Sequence, residues 1–265
     1  MKTEVLIITL ASATSRRAFQ QLQADRLGFT PTWHQAMGIN DFGDDIFLKN
    51  AFCWQRPLKK TEVGCFLSHL QVWQKVALNS GPVVILEDDV ILSEGWGEKI
   101  DDLATLKDLD CVNFEAVGKK QVGQSRLVRG VLIQRLHLNS SGAGAYLLWP
   151  KGAQKLLARY EKEGAALADV FMNEAKELNV WQLVPAVAIQ MCILPYYGLP
   201  SMEEGLSQIA REKHSSPKPA SLALQAKMKW RRIRGEIRKG FRRLGILVGH
   251  RRHYIPYLHH SRKLR

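Results

Sequence analysis

The decapeptide VVILEDDVIL, residues 83–92, runs an apolar strand straight into three adjacent carboxylates, Glu87, Asp88 and Asp89, and then turns apolar again. A continuous apolar run suits a strand covered on both faces, and three anions are not buried beside it without compensation. The strand therefore ends at the rim of a sheet, with the acids on that rim, where ligands of open α/β sheets collect. Three neighbouring anions repel one another unless cations or hydrogen bonds intervene. A divalent cation is the economical partner, since Mg²⁺ or Mn²⁺ takes one or two carboxylates and completes its shell with water and phosphate oxygens. The alternative is an acidic solvated turn or a helix N-terminus, against which the renewed Val90-Ile91-Leu92 argues.

The remaining pattern supplies a sheet for this strand to end in. Val5 to Leu10 predicts a strand, and Ser12, Thr14 and Ser15 can cap a helix from Arg16 to Leu27 that closes at Gly28. Thr30 to Gln35 predicts a second strand, followed by a Gly/Asp-rich loop near Gly38 to Asp45. Thr61 can cap a helix whose apolar positions Val63, Phe66, Leu67, Leu70, Trp73 and Ala77 recur at helical spacing, and Gly81-Pro82 ends it before the acidic strand. Beyond it come a helical patch from Glu94 to Leu106, a strand near Cys111 to Phe114 and a Gly/Lys-rich loop from Gly118 to Gly130. A strand from Ala145 to Trp149, a helix opened by Pro150, a helix from Asp169 to Leu178 and a strand from Val180 to Ile189 complete the series. Alternating strands and helices predict an α/β sheet covered on both faces.

Composition sets the outer limits. The 265 residues carry a formal net charge of +13, but 17 of the 38 Lys and Arg lie in residues 211–265 against two Glu. The first 210 residues are close to neutral, which divides the chain into a globular domain, 1–210, and a basic extension, 211–265. Cys53, Cys65, Cys111 and Cys192 have no C-x-x-C or framework spacing, so reduced thiols in a cytosolic setting are expected and a zinc site is not. MKTEVLIITLASA imitates a signal peptide, yet its apolar run is short and carries Glu4, and it is better taken as the first strand. No stretch reaches the ~18 apolar residues of a membrane span.

Other chemistries fit less well. A receiver domain needs an acceptor Asp on a later strand, and none occurs between Asp110 and Asp169; a dehalogenase-type phosphatase needs Asp-x-Asp-x-Thr, which Asp88-Asp89-Val90-Ile91 lacks. Gly142-Ala143-Gly144 is no dinucleotide fingerprint, because the third glycine is missing and a strand follows. Its small residues let a ligand approach the backbone, or else form a tight turn. Cys65 and His69, four apart on a helix, could be a thiol and its base, but nothing orients them and packing is the simpler account.

The chain resembles the lipooligosaccharide glycosyltransferases of glycosyltransferase family 25 in the order and spacing of Arg16-Arg17, Ala36-Met37-Gly38-Ile39, TEVGCFLSHLQVW (61–73), VVILEDDVIL, GAGAYLLWPKGAQKLL (142–157), Asp169 and VPAVAIQ (184–190). Thr61 stands where the family more often has glycine, and Gln208 where its Ser-Asp-Ile motif has an acid. The resemblance implies a GT-A fold, in which a mixed sheet flanked by helices binds a nucleotide sugar. It implies inverting transfer of a hexose, usually galactose from a UDP-sugar, to a lipid-linked, lipopolysaccharide-type acceptor. Asp89, with Asp88 or Glu87, would hold Mn²⁺ or Mg²⁺, and the remaining acid would hold ribose or sugar hydroxyls. Arg17 is a candidate for neutralising the phosphates; Glu62 and His69, seven apart on one helix face, for lining the donor pocket with Gly142 and Gly144. Asp169 is the first candidate for general base, with an N-cap as its alternative role and Glu174 in reserve.

In the extension, Met228, Ile233, Ile237, Phe241, Leu244 and Val248 recur at near-helical intervals among Lys and Arg, with Trp230 as an interfacial anchor. This predicts a basic amphipathic helix, weakened by Gly235, Gly240 and Gly245, that attaches the protein to an anionic membrane surface on the cytoplasmic face of the inner membrane. No nucleic acid is expected as a partner. The competing account is a catalytically inactive protein of the same fold that works as a membrane- or nucleic-acid-binding module through this segment.

Overall fold

In a computed structural model of the chain, the structure describes residues 1–117, 119–138, 142–202, 217, 219, 221–245 and 251–258. Gln208 and Val248 lie outside them. The centre is a nine-stranded mixed sheet. Its strands are β1 (Glu4–Thr9), β2 (Pro31–Gln35), β3 (Val83–Glu87), β5 (Cys111–Asn113), β6 (Lys119–Val128), β7 (Val131–Leu138), β8 (Ala145–Leu148), β9 (Val180–Val184) and β11 (Arg251–Tyr254), in the order β11-β6-β7-β9-β5-β8-β3-β1-β2. β4 (Val90–Leu92) pairs antiparallel with β10 (Ala188–Gln190) as a separate two-stranded sheet.

β1 is flanked by parallel β2 on one side and parallel β3 on the other. The chain leaves β1 through α1 (Thr14–Leu27) to β2, then returns across β1 through α2 (Asp44–Ala51) and α3 (Lys60–Ala77) to β3. The direction of winding reverses at β1, and the crevice outside the ends of β1 and β3 is where such sheets bind ligands.

Both faces of the sheet are covered, as the unbroken apolar strands demand. Leu6, Ile8, Val83 and Ile85 pack with Phe66 and Trp73 of α3, Leu156 of α5 (Pro150–Glu163) and Phe171 of α6 (Ala168–Glu174). Val5, Ile7, Val84 and Leu86 pack on the other face with Ala24 of α1 and with Trp96, Ile100 and Leu103 of α4 (Trp96–Ala104). Burying these side chains at ~1.5–3 kcal/mol each supplies the main force that holds the layers together.

Several expectations need correction. The segment from Gly118 to Gly130 is no loop over its described length, because Lys119–Val128 and Val131–Leu138 form a long hairpin. Its two-residue turn places Arg129 and Gly130 at φ 48° and 82°, the left-handed pair that matches the twist of paired strands. The sequence expectation missed α2, which begins at Asp44 inside the proposed loop. α3 begins at Lys60, so Thr61 lies within its first turn and is not the cap. α6 stops at Glu174, short of Leu178.

The basic extension does form a helix, α7 (Leu222–Gly245). The chain then returns to the body: β11 pairs with β6, Ala186 N–H donates to Pro256 O at 2.8 Å, and Ile255 is fully buried beside Ala116, Ile189 and Leu194. Residues 251–258 are thus part of the body that the sequence analysis closed at residue 210.

Candidate functional site

β3 ends at Glu87, Asp88 and Asp89 make the turn, and β4 leaves antiparallel to β10, which answers why the chain turns apolar again after its acids. Gln20, fully buried, donates from Nε2 to Asp88 O at 3.0 Å and Val90 O at 2.7 Å. Gln23 donates to Val90 O and accepts from Leu92 N–H at 2.8 Å, while Met191 N–H donates to Asp89 O at 2.9 Å. The backbone of the turn is therefore fixed from α1 on one side and from Met191, the residue after β10, on the other.

The three carboxylates meet different fates. Asp88 accepts from Thr9 Oγ1 at 2.8 Å on Oδ2 and pairs with Arg16 at 3.0 Å on Oδ1. Burial pushes its pKa up, and Arg16 and Thr9 pull against that. Glu87 faces His69 Nε2 at 3.1 Å through Oε1 and accepts from Gln190 Nε2 at 2.9 Å through Oε2. Asp89 is buried, and among the described residues its donor is the same Gln190 amide at 3.4 Å. Burial, then the charges of Glu87 and Asp88, lift the Asp89 pKa from 3.8 to about 7. The turn thus contains a nearly dry carboxylate whose charge the nearby Arg16 offsets only in part.

Behind Glu87 lies a buried relay. Trp73 Nε1–H donates to the Tyr146 hydroxyl at 3.0 Å, and that hydroxyl lies 2.9 Å from His69 Nδ1. Indole nitrogen only donates, so the arrangement that uses every proton has Tyr146 O–H donating to Nδ1 and His69 Nε2–H donating to Glu87. His69, from α3, therefore orients Glu87.

Glu62 does not join His69 at the pocket. It accepts from Lys59 N–H at 2.8 Å at the start of α3 and holds Arg56 through both oxygens at 2.9 and 2.7 Å. Desolvation raises its pKa, but Arg56 and the Lys59 amide outweigh it and the net movement is down. Glu62 is a capping and ion-pair residue. Arg17 is also displaced from its expected role: its guanidinium stacks 4.7 Å above Trp33, and Arg16 is the arginine that meets the acids.

Gly142 and Gly144 lie buried beside the cluster. Gly144 O accepts from Glu87 N–H at 2.8 Å, and Gly144 N–H donates to Glu115 Oε2 at 3.0 Å. A Cβ on Gly144 would meet Gln190 at 3.1 Å, so this glycine makes room for the amide that bridges Glu87 and Asp89. Gly142 has φ 108°, and its carbonyl accepts from Asn113.

Asp169 sits in the first turn of α6 and accepts from Val170 N–H at 2.7 Å; Leu167, not Asp169, occupies the N-cap. Burial raises its pKa, the Val170 N–H opposes that, and the Glu87 charge adds to the rise. Glu174 lies at the far end of α6, ~7 Å along the helix axis. The Cys65 thiol, His69 and Glu87 place ligand atoms within 4.8 Å of one another. Burial and the charges of Glu87 and Asp169 push the Cys65 pKa well up, which holds it as a thiol and removes it as a nucleophile.

Sequence reasoning missed Thr9, Gln20, Gln23, Tyr146 and Gln190. A signal for part of this set was present, since Arg16, Gln20 and Gln23 stand at i, i+4 and i+7, one face of a helix.

The oxygen donors fit a hard divalent cation. Asp89 and Glu87 offer carboxylate oxygens side by side, and the raised Asp89 pKa marks charge that such a cation would offset. Thr9 and Arg16 engage both oxygens of Asp88, and His69 and Gln190 engage both oxygens of Glu87, so Asp89, with one long contact to Gln190 among the described residues, is the carboxylate with most capacity left for a cation.

The model of glycosyltransferase family 25 (LPS biosynthesis protein) matches residues 2–172. A protein of Haemophilus influenzae that carries a glycosyltransferase name is 26% identical over 188 residues, 67% of this chain and 64% of that protein. The human inactive glycosyltransferase 25 family member 3 is 33% identical over 139 residues, 48% of this chain and 23% of that protein. The chain thus spans just under two thirds of the bacterial relative and about a quarter of the human one. Among solved structures, the inositol-1-phosphate CTP transferase from T. maritima superposes with a TM-score of 0.40 at 9% identity, over 85% of this chain and 96% of that one, too loosely to carry an argument.

Proposed function

The chain belongs to glycosyltransferase family 25, and we propose that it is an inverting transferase of the GT-A type that moves a hexose, in the first instance galactose, from a UDP-sugar to a hydroxyl of a lipooligosaccharide-type acceptor. The observation that carries this is Asp89, buried close to two other carboxylates at the rim where the strand order reverses, with a pKa lifted to about 7. Asp89 and Glu87 would hold Mn²⁺ or Mg²⁺, which when bound offsets the charge of the departing diphosphate.

The protein's own groups do the rest. Arg16 and Thr9 fix Asp88 and with it the turn. Trp73, Tyr146 and His69 fix one oxygen of Glu87 and Gln190 the other. Asp169 would take the proton of the acceptor hydroxyl as that oxygen bonds to the anomeric carbon and the bond from carbon to diphosphate oxygen breaks. Burial raises its pKa above that of a free carboxyl, which makes it a stronger base. Glu174 is the reserve.

The human relative's name, inactive glycosyltransferase 25 family member 3, favours a second reading in which this chain binds without catalysing. The two separate in one assay. With Mn²⁺, UDP-galactose and membranes bearing lipooligosaccharide, the transferase releases UDP only when acceptor is present; no release with any UDP-hexose would leave the binding module.

A further inference from the structure

α7 shows two unlike faces. Toward the body, Met228 is buried, Arg231 Nη1 donates to Phe52 O at 2.8 Å, and Gly235 faces the end of the Gln55 side chain, which a Cβ there would push aside. Gly235, expected only to weaken the helix, sits on its docking face. Met228, counted there in the amphipathic stripe, belongs to the docking face.

On the opposite side, Trp230 is 62% exposed, Ile233 45% and Ile237 51%, with Leu222 at 82% two turns before Trp230. At about 100° per residue, Leu222, Ile233, Ile237 and Trp230 fall within about 80° of one another, and Met228 and Gly235 lie across the helix from them. Exposed Lys227 and Arg234 border one edge of this stripe, and exposed Lys229 and Glu236 the other. Among the described residues, no helix is long and apolar enough to cross a membrane.

We propose that this face is a docking surface for an anionic lipid bilayer, with the helix lying in the interface plane and its other face bolted to the segment at Phe52 and Gln55. A stripe of Trp and Ile left in water is unfavourable unless something apolar covers it. Trp favours the boundary between headgroups and acyl chains, and the bordering cations are attracted by anionic headgroups. Another protein could cover the stripe, but the Lys and Arg along its border, which outnumber Glu236 three to one, would have to be matched by acids, whereas an anionic leaflet supplies that charge everywhere. The inference stands apart from the sugar-transfer reading, because it concerns where the protein rests and not what it catalyses.

Removing the whole segment is a poor test, since residues 251–258 complete the sheet. The triple substitution Trp230→Ser, Ile233→Ser, Ile237→Ser changes side chains that leave the docking face intact. In co-flotation with vesicles containing one third phosphatidylglycerol, the wild-type chain should float, and vesicles of phosphatidylcholine alone should retain at least tenfold less. The triple variant should lose at least tenfold on the anionic vesicles with its melting temperature unchanged. Equal flotation of variant and wild type would overturn the proposal, as would wild-type protein that ignores anionic vesicles. A concentration-dependent dimer in sedimentation, lost in the variant without any vesicle binding, would likewise overturn it and assign the face to a second copy.

Discussion

Replacing Asp89 by Asn removes a charge that the folded protein holds at a cost. The Asp89 pKa rises from 3.8 to about 7, first through burial and then through Glu87 and Asp88. Each tenfold change in acidity is worth ~1.4 kcal/mol, so ionised Asp89 costs the folded state a few kcal/mol at pH 8. The folded pKa is raised, so between about pH 4 and 7 the native state keeps a proton that the unfolded chain has lost. Stability therefore falls as pH rises through that window and levels off above it. Asn keeps an acceptor for the Gln190 amide and has no charge to desolvate. In chelator at pH 8, Asp89→Asn should melt above wild type by roughly 4–8 °C, given ~2 °C per kcal/mol for a chain of this length and some relaxation of the site. The gap should narrow by more than half at pH 5. Added Mn²⁺ should raise the melting temperature of wild type and leave the variant unmoved. Scanning fluorimetry at the two pH values settles the matter: a variant that melts at or below wild type at pH 8, or a gap that ignores pH, refutes the reasoning.

Three further outcomes are expected. Asp169→Asn should retain UDP affinity, measured by calorimetry, and lose ~10²–10⁴-fold in transfer rate if, as proposed, it takes the acceptor proton; parallel loss of affinity would assign it to donor binding. Tyr146→Phe deletes the hydroxyl between Trp73 and His69 and strands two buried nitrogens, so chemical denaturation should show a loss of ~1–3 kcal/mol; the relay is wrong if stability does not change. Arg16→Gln should lower both melting temperature and UDP affinity, while Arg17→Gln, which loses only an exposed stack on Trp33, should stay within about 0.5 kcal/mol of wild type.

The strand end and its acids were legible because one short peptide contains both the apolar run and the charge that cannot follow it inward. The alternation of elements gave the class of fold. Telling Arg16 from Arg17 needs the phase of α1 against the turn, and adjacent residues on a helix differ by ~100° in direction. The ion pair of Glu62 was not legible because its partner Arg56 comes from a loop, and nothing in the spacing says that this loop folds back over the helix start. The hairpin of β6 and β7 was hidden by its Lys, Gln and Ser content, although Val128-Arg129-Gly130-Val131 carries a turn signal in Gly130. β11 could not be seen at all, since a short basic strand forms only where an open sheet edge receives it.

We propose that the acids closing β3 hold a divalent cation together with the diphosphate of a UDP-sugar. Titration calorimetry of UDP into the chain, with Mn²⁺ and then with chelator, tests it most directly. The account predicts UDP binding in Mn²⁺ that weakens at least tenfold in chelator, and no Mn²⁺ dependence in Asp89→Asn. UDP affinity equal in Mn²⁺ and chelator, or a Mn²⁺ effect that survives in Asp89→Asn, would contradict it.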